Sequence, residues 1–343
     1  MKFTTVSALL ALAPPALADW HFAKNKEIKY TSVEGFFMQD DLATNPTGFD
    51  YAQWNFGLLN RTYPTDPKNP PKGLQDSVGA LRAVLVMGRH GEGWHNAAES
   101  FYGTPAWNCY WGLQSGNGTA TWEDPLLTPA GEAEAHKANA YFKTRFENEG
   151  MPFFDSYYTS PLARCVETAV ETFQSLKLPK NKPFVPMVKE LLREGVSIRT
   201  CDHRRSKSFI KTLAKKIKFE KGFSDKDKLW TGKEGETGEH QLARSKEVLD
   251  DIFTSDNAVW ISISSHSGEI TKLLQALNHR PFRLATGQII PVLVRADVVS
   301  EEPTSTYASW TTEATCNAPP VTSIGGQGCV CSTTLASAPA KAT

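Results

Sequence analysis

The run Leu81-Arg-Ala-Val-Leu-Val-Met87 stands between Gly79 and Gly88 and constrains the fold most. A short apolar run bounded by glycines reads as a strand buried on both faces, the environment of a parallel sheet. Similar signals recur at Asp155–Ser160, Pro183–Lys189, Val259–Ser264 and Ile289–Val299. Pro291 suggests that the last of these runs along an edge, because proline cannot donate to a ladder. Helical segments alternate with the strands. Pro129 to about Asn148 is the clearest: Thr128 can cap it, Pro129 suits the first turn, and Ala, Glu and Lys fill its interior. Further helices are expected after Ser160-Pro161, near 207–221, near 239–255 and from Gly268 to Leu277. The alternation predicts a three-layer α/β/α fold with a mostly parallel central sheet.

The 343 residues allow one large α/β domain with extensions. Residues 19–80 read as an arm packed on the core, 81–312 as the main domain and 313–343 as a Cys-containing tail rich in Ala, Ser and Thr. Residues 1–18 have the pattern of a secretory signal: Lys2, an apolar stretch from Val6 to Leu12, then Ala16-Leu17-Ala18. No later stretch reaches the roughly 20 apolar residues needed to span a bilayer. A secreted, soluble mature protein is therefore expected, without a membrane partner. Lys+Arg and Asp+Glu both number 37, which argues against a polybasic nucleic-acid binder.

Six cysteines suit an oxidising compartment. Cys316, Cys329 and Cys331 lie close together, so at least one pairs elsewhere or stays free. A zinc site is the weaker reading, since no His lies near them in sequence. Cys165 and Cys201 are read as structural. Asn60-Arg-Thr and Asn117-Gly-Thr are glycosylation sequons. The connection 93–127 holds Trp94, Phe101, Tyr102, Trp107, Tyr110, Trp111 and Trp122. It is read either as a lid over a substrate with an apolar part or as a loop packed onto the body.

The chemistry gathers at strand ends. Arg89-His90-Gly91-Glu92 follows the first strand, where α/β sheets bind ligands. Ser160-Pro-Leu-Ala-Arg164 places a second arginine in the first turn of a helix, a position that favours anions. Leu191-Leu-Arg-Glu194 and Ser264-Ser-His266-Ser-Gly268 follow two more strands. Two His, two Arg and one Glu could thus converge on one group.

This set resembles the histidine phosphatase superfamily, also called phosphoglycerate mutase-like. Arg-His-Gly-Glu with the later Asn96, Ser-Pro-Leu-x-Arg, Leu-Arg-Glu and Ser-His-Ser-Gly match in order. Thr286-Gly287 with Ile290-Pro291-Val292 resembles a stretch of the mutase-like branch. The resemblance covers about residues 81–298. The spacing from Glu194 to Cys201-Asp202-His-Arg204 looks most like a fungal phosphomutase-like group. The resemblance implies His90 as nucleophile and His266 as the second pocket histidine. It implies Arg89, Arg164 and Asn96 on the phosphoryl oxygens and Glu194 as proton donor. Chemically, a neutral imidazole can attack phosphorus and divide the reaction into two steps. Guanidinium forks match the transferred group. His95 is read as a substrate contact or as loop packing, with packing favoured, and Glu92 as ordering the loop.

Two departures refine the expectation. The Glu-Arg-His-Tyr-Gly segment of phosphoglycerate mutases is replaced by Leu192-Arg-Glu-Gly-Val-Ser-Ile-Arg199. The Arg-His-Gly-x-Arg-x-Pro and His-Asp pairs of the phytase branch are broken by Glu92-Gly93-Trp94 and His266-Ser267. The resulting expectation is a secreted hydrolase of small phosphate monoesters, with no metal and no cofactor. A phosphomutase and a non-catalytic phosphate-binding protein are the alternatives.

Overall fold

The computed structural model describes residues 26–59, 81–300, 308–320 and 329–331. The proposed leader, residues 1–18, and the sequon at Asn60 lie outside these residues. Among the described residues no helix is long and apolar enough to cross a membrane.

The strands are β1 (Lys26–Ser32), β2 (Leu81–Arg89), β3 (Ser156–Thr159), β4 (Met187–Val188), β5 (Lys218–Phe219), β6 (Glu234–Glu236), β7 (Trp260–Ser265), β8 (Ile289–Ser300) and β9 (Trp310–Thr312). The helices are α1 (Trp94–Tyr102), α2 (Thr104–Cys109), α3 (Pro129–Asn148), α4 (Ala163–Phe173), α5 (Lys207–Ile210), α6 (Gly238–Ser255) and α7 (Ser267–Ala276). Seven strands form one sheet in the order β1-β8-β2-β7-β3-β4-β5. From β2 to β5 every pairing is parallel, while β8 runs antiparallel to both β1 and β2. Helices cover both faces, with α3 packed on α4 and α6 on α7. Leu85, Val86 and Met87 of β2 are fully buried, as their unbroken apolar run requires.

Two expectations change, and the structure bears on a third reading that was left open. The strand holding Pro291 lies inside the sheet, not at its edge. Pro291 stands opposite Val86 on one side, and on the other side β1 pairs only from Val294 onward. The proline thus occupies the stretch where no outer ladder asks for its missing N–H. The segment 207–221 is not one helix: α5 stops at Ile210 and Lys218–Phe219 joins the sheet. Its helix-like spacing of apolar residues serves a satellite core in which Ile210, Leu213, Ala214, Ile217 and Phe219 pack with Val166 and Val188. The connection 93–127 contains α1 and α2. Trp107 and Trp122 are buried there with Cys201, and Tyr102 stacks on Trp111 at 4.3 Å. These rings form a small core of their own, leaving Trp94 and Phe101 exposed.

Disulfides join Cys109 to Cys329 and Cys316 to Cys331, while Cys165 and Cys201 are free and buried. The sulfurs of Cys109, Cys316 and Cys329 lie close enough together to suggest a metal site, but all three are in disulfides.

The loop after β2 rests directly on the first turn of α3. A Cβ on Gly91 would strike the backbone of Gly131, and one on Gly131 would strike that of Glu92. Ala for Gly inside a helix ordinarily stabilises by about 0.5–1 kcal/mol. Overpacking backbone against backbone costs about 1–3 kcal/mol. Gly131→Ala is therefore expected to lower the urea unfolding free energy by about 1–2 kcal/mol, and a variant more stable than the wild type would disprove the contact's rigidity.

Candidate active site

Parallel register builds the site. Arg89 of β2 stands abreast of Ser265 of β7, and Thr159 of β3 abreast of Ser264. The next residues, His90, His266 and Ser160, therefore emerge side by side at the carboxyl ends of adjacent strands. The rings of His90 and His266 lie 5.0 Å apart.

His90 is buried. Its Nδ1 lies 2.7 Å from the carbonyl of Gly91, so Nδ1 carries the proton and donates it there. Nε2 keeps its lone pair, which accepts the Nε–H of Arg164 at 3.3 Å. Burial holds His90 well below the ordinary histidine range, and Arg164 and Arg89 reinforce the effect. The ring is a neutral imidazole with its free nitrogen beside a cation. Gly91 gives its N–H to Thr168 of α4, which locks the loop.

Arg164 is 1% exposed. One Nη donates to the carbonyl of Cys201 at 2.8 Å and the other stands 3.8 Å from Asp202. Leu162, the N-cap residue of α4, offers no side-chain cap. Buried Asp124 accepts the N–H of Ala163 instead, at 2.8 Å, and that of Arg205. Burial raises the Asp124 carboxyl despite these bonds. Arg89 gives one Nη to the carbonyl of Leu284, while its buried Nε has no partner among the described residues.

His266 is fully buried. Its Nε2 lies 2.8 Å from the hydroxyl of Ser160, which also accepts the N–H of Leu162. Burial, then Arg164 and His90, keep it well below the usual histidine range. The thiol of Cys165 lies 3.3 Å from the same nitrogen. Burial pushes that thiol above its ordinary range, which suits a structural residue.

The structure thus gathers Arg89, His90, Arg164 and His266. Glu194 makes no hydrogen bond to these four among the described residues. Its carboxylate accepts the N–H groups of Gly195, Gly268 and Glu269, each at 3.0 Å. It thereby caps α7, whose N-cap residue His266 has no capping side chain. The Glu194 charge acts on Arg89. Asn96 sits in the first turn of α1, where its Oδ1 accepts the N–H of Gly93 at 3.0 Å. Glu92 receives the Thr128 hydroxyl, as befits loop ordering. Thr286 and Gly287 also belong to this frame: Thr286 donates to Glu134, and Gly287 donates to the carbonyl of His90.

One residue was missed from sequence: Ser160 orients His266, and its place at the end of β3 could have flagged it. His95 lies against the cluster, its ring 5.4 Å from that of His90. Burial, then Arg164 and His90, hold it well below the ordinary histidine range.

Comparison with known proteins identifies the family. Residues 112–290 match the histidine phosphatase superfamily (branch 1), a stretch that begins after His90. The chain belongs to the histidine phosphatase superfamily. It is 42% identical over 311 residues to a "Probable phosphoglycerate mutase" of Arthroderma benhamiae, covering 86% of this chain and 92% of that one. It is 33% identical to "Phosphomutase-like protein 3" of Candida albicans, covering 78% and 80%. A solved phosphoglycerate mutase of Thermus thermophilus is similar at a TM-score of 0.34 and 18% identity, over 62% of this chain and 98% of that one.

Three buried neutral imidazoles predict a pH dependence of stability. Their folded pKa values are depressed below the ~6.5 of an unfolded chain, so below that pH the unfolded state binds more protons. Their stabilising contribution is present above about pH 6.5 and is lost as the pH falls. Removing one titrating ring in His90→Asn should flatten the curve. The stability difference between wild type and variant should move against the wild type by at most about 1.4 kcal/mol per pH unit below ~6.5. Urea unfolding at several pH values checks this, and parallel curves would contradict it.

Proposed function

We propose that this protein is a secreted hydrolase of phosphate monoesters that works through a phosphohistidine on His90. The observation that carries the reading is the His90 hydrogen-bond pair: Nδ1 is tied to the Gly91 carbonyl, which leaves a neutral Nε2 beside Arg164. Nε2 attacks phosphorus, the N–P bond forms, and the ester oxygen leaves with its bonding electrons and takes a proton from Glu194. Water then gives its proton to Glu194 and attacks phosphorus. The N–P electrons return to Nε2 and orthophosphate departs.

Arg89 and Arg164 hold the phosphoryl oxygens and offset the charge that develops on them. Ser160 gives its hydroxyl proton to His266 Nε2, so that the ring keeps its own proton on Nδ1 for the substrate. The bond from Gly93 fixes the Asn96 amide and leaves its NH₂ for a phosphoryl oxygen. A carboxylate has about four acceptor sites. Three of those on Glu194 are occupied by backbone N–H groups, which hold it in place and leave room for a proton. The leader pattern of residues 1–18 and the two disulfides support secretion. The exposed Asn117 suits a glycan.

The names of the fungal relatives favour a second reading, transfer of the phosphoryl group to another alcohol. Product analysis separates the two, since a mutase releases no orthophosphate in proportion to turnover.

Purified protein should hydrolyse an aryl phosphate equally well with and without a chelator, and His90→Ala should lose at least about 10³-fold in kcat/KM. Glu194→Gln should lower kcat/KM, which reports phosphohistidine formation and not its hydrolysis, by about 10²–10⁴ for alkyl phosphates and far less for aryl phosphates. Equal losses on both substrate types would remove Glu194 as the acid, and a fully active His90→Ala would end the phosphohistidine reading.

A further inference from the structure

We infer that His95 is a third imidazole of the phosphoryl pocket, donating its Nε2–H to a phosphoryl oxygen. The inference rests on the phosphate-site reading above and deepens it.

His95 is 9% exposed and lies in the first turn of α1, a nine-residue helix whose N-cap, Gly93, has no side chain. Its Nδ1 is buried and finds no partner among the described residues. A buried polar nitrogen without a hydrogen bond is costly, and a packing role would be served better by a phenyl ring. The niche is nevertheless built around the imidazole. A Cβ on Gly93 would lie 2.8 Å from His95 Nδ1 and 3.5 Å from Arg164 Cδ, so Gly93 clears the space that both side chains share.

The cations beside the ring are Arg164, which weighs most after burial, and Arg89, and no carboxylate counters them. Such a field keeps the ring neutral and favours an anion beside it. Nδ1 lies against the Gly93 backbone with nothing to accept a proton. The neutral ring therefore carries its proton on Nε2, at the other side of the ring. With the two rings 5.4 Å apart, a phosphoryl group approaching His90 comes within reach of this donor.

The test uses the full mature chain and inorganic phosphate as the probe. His95→Phe keeps the ring volume and removes the donor. His95→Gln carries an amide about where Nε2 lies, and His95→Asn about where Nδ1 lies. Phosphate affinity is read by calorimetry and kcat/KM on an aryl phosphate. His95→Phe should weaken phosphate binding by about tenfold to a hundredfold, the usual worth of a hydrogen bond to a charged group. His95→Gln should recover most of that loss and His95→Asn should not.

Phosphate binding by His95→Phe within twofold of the wild type would overturn the inference. If His95→Phe does not fold, the Gln and Asn variants decide, and equal binding by those two overturns it. A wild type that binds phosphate without turnover would sink the hydrolase reading alone, and a weaker His95→Phe would still support the donor. A wild type that binds no phosphate overturns both.

Discussion

A guanidinium buried against a neutral imidazole is the interaction on which the rest of this site depends. Arg164 is almost wholly excluded from solvent, yet its Nε–H points at His90 Nε2 rather than at a carboxylate. A buried charge without a close counter-ion is expensive unless fixed donors and acceptors surround it. The surroundings supply them: the Cys201 carbonyl, Asp202 at longer range, and Asp124 at the start of α4. The same bond requires that His90 stay unprotonated, which burial enforces. One contact thus fixes both the neutral ring and the buried guanidinium.

Around this centre, irregular backbone is held by buried arginines. The segment bearing Glu194 has little regular structure, so its carbonyls need other partners. Arg244 supplies them, donating to the carbonyls of Leu191, Arg193 and Glu194 while paired with Glu236 and Glu269. Burial outweighs Arg244 at Glu269, whose carboxyl is pushed up to about 7. Arg193 is bonded to Glu190, Asp227 and the carbonyl of Asp202. Glu313, far along the chain, accepts the N–H of Ile198 and pairs with Arg199. A loop fixed by charge from several sides can keep its geometry without the ladder of a helix or strand.

Much of this was legible in the sequence because it follows from local rules. Strand β2 carries a continuous apolar run from Ala83 to Met87, as a strand buried on both faces must. Helix α3 announced itself through Thr128, Pro129 and its helix-forming interior. Arg89, His90, Arg164 and His266 stood out because each follows a strand. What escaped depends on distance in sequence. Strand β1 alternates buried Ile28, Tyr30 and Ser32 with outward Lys29 and Thr31, a period-two signal too short to weigh without its partner β8. The 207–221 segment has helical spacing, but packing against Val166 and Val188 overrides it. The capping of α7 by Glu194 spans more than seventy residues, and no local pattern reports it.

The disulfide from Cys109 to Cys329 has a consequence in time as well as in space. The two cysteines are 220 residues apart. While the chain is being made, Cys109 emerges first and meets Cys165 and Cys201 long before its final partner exists. Those two thiols end up buried beside His266 and Arg164, where pairing would wreck the pocket. Burial within α4 and the loop at Cys201 keeps both out of reach of the later cysteines. The closed core thus guards the site against its own thiols.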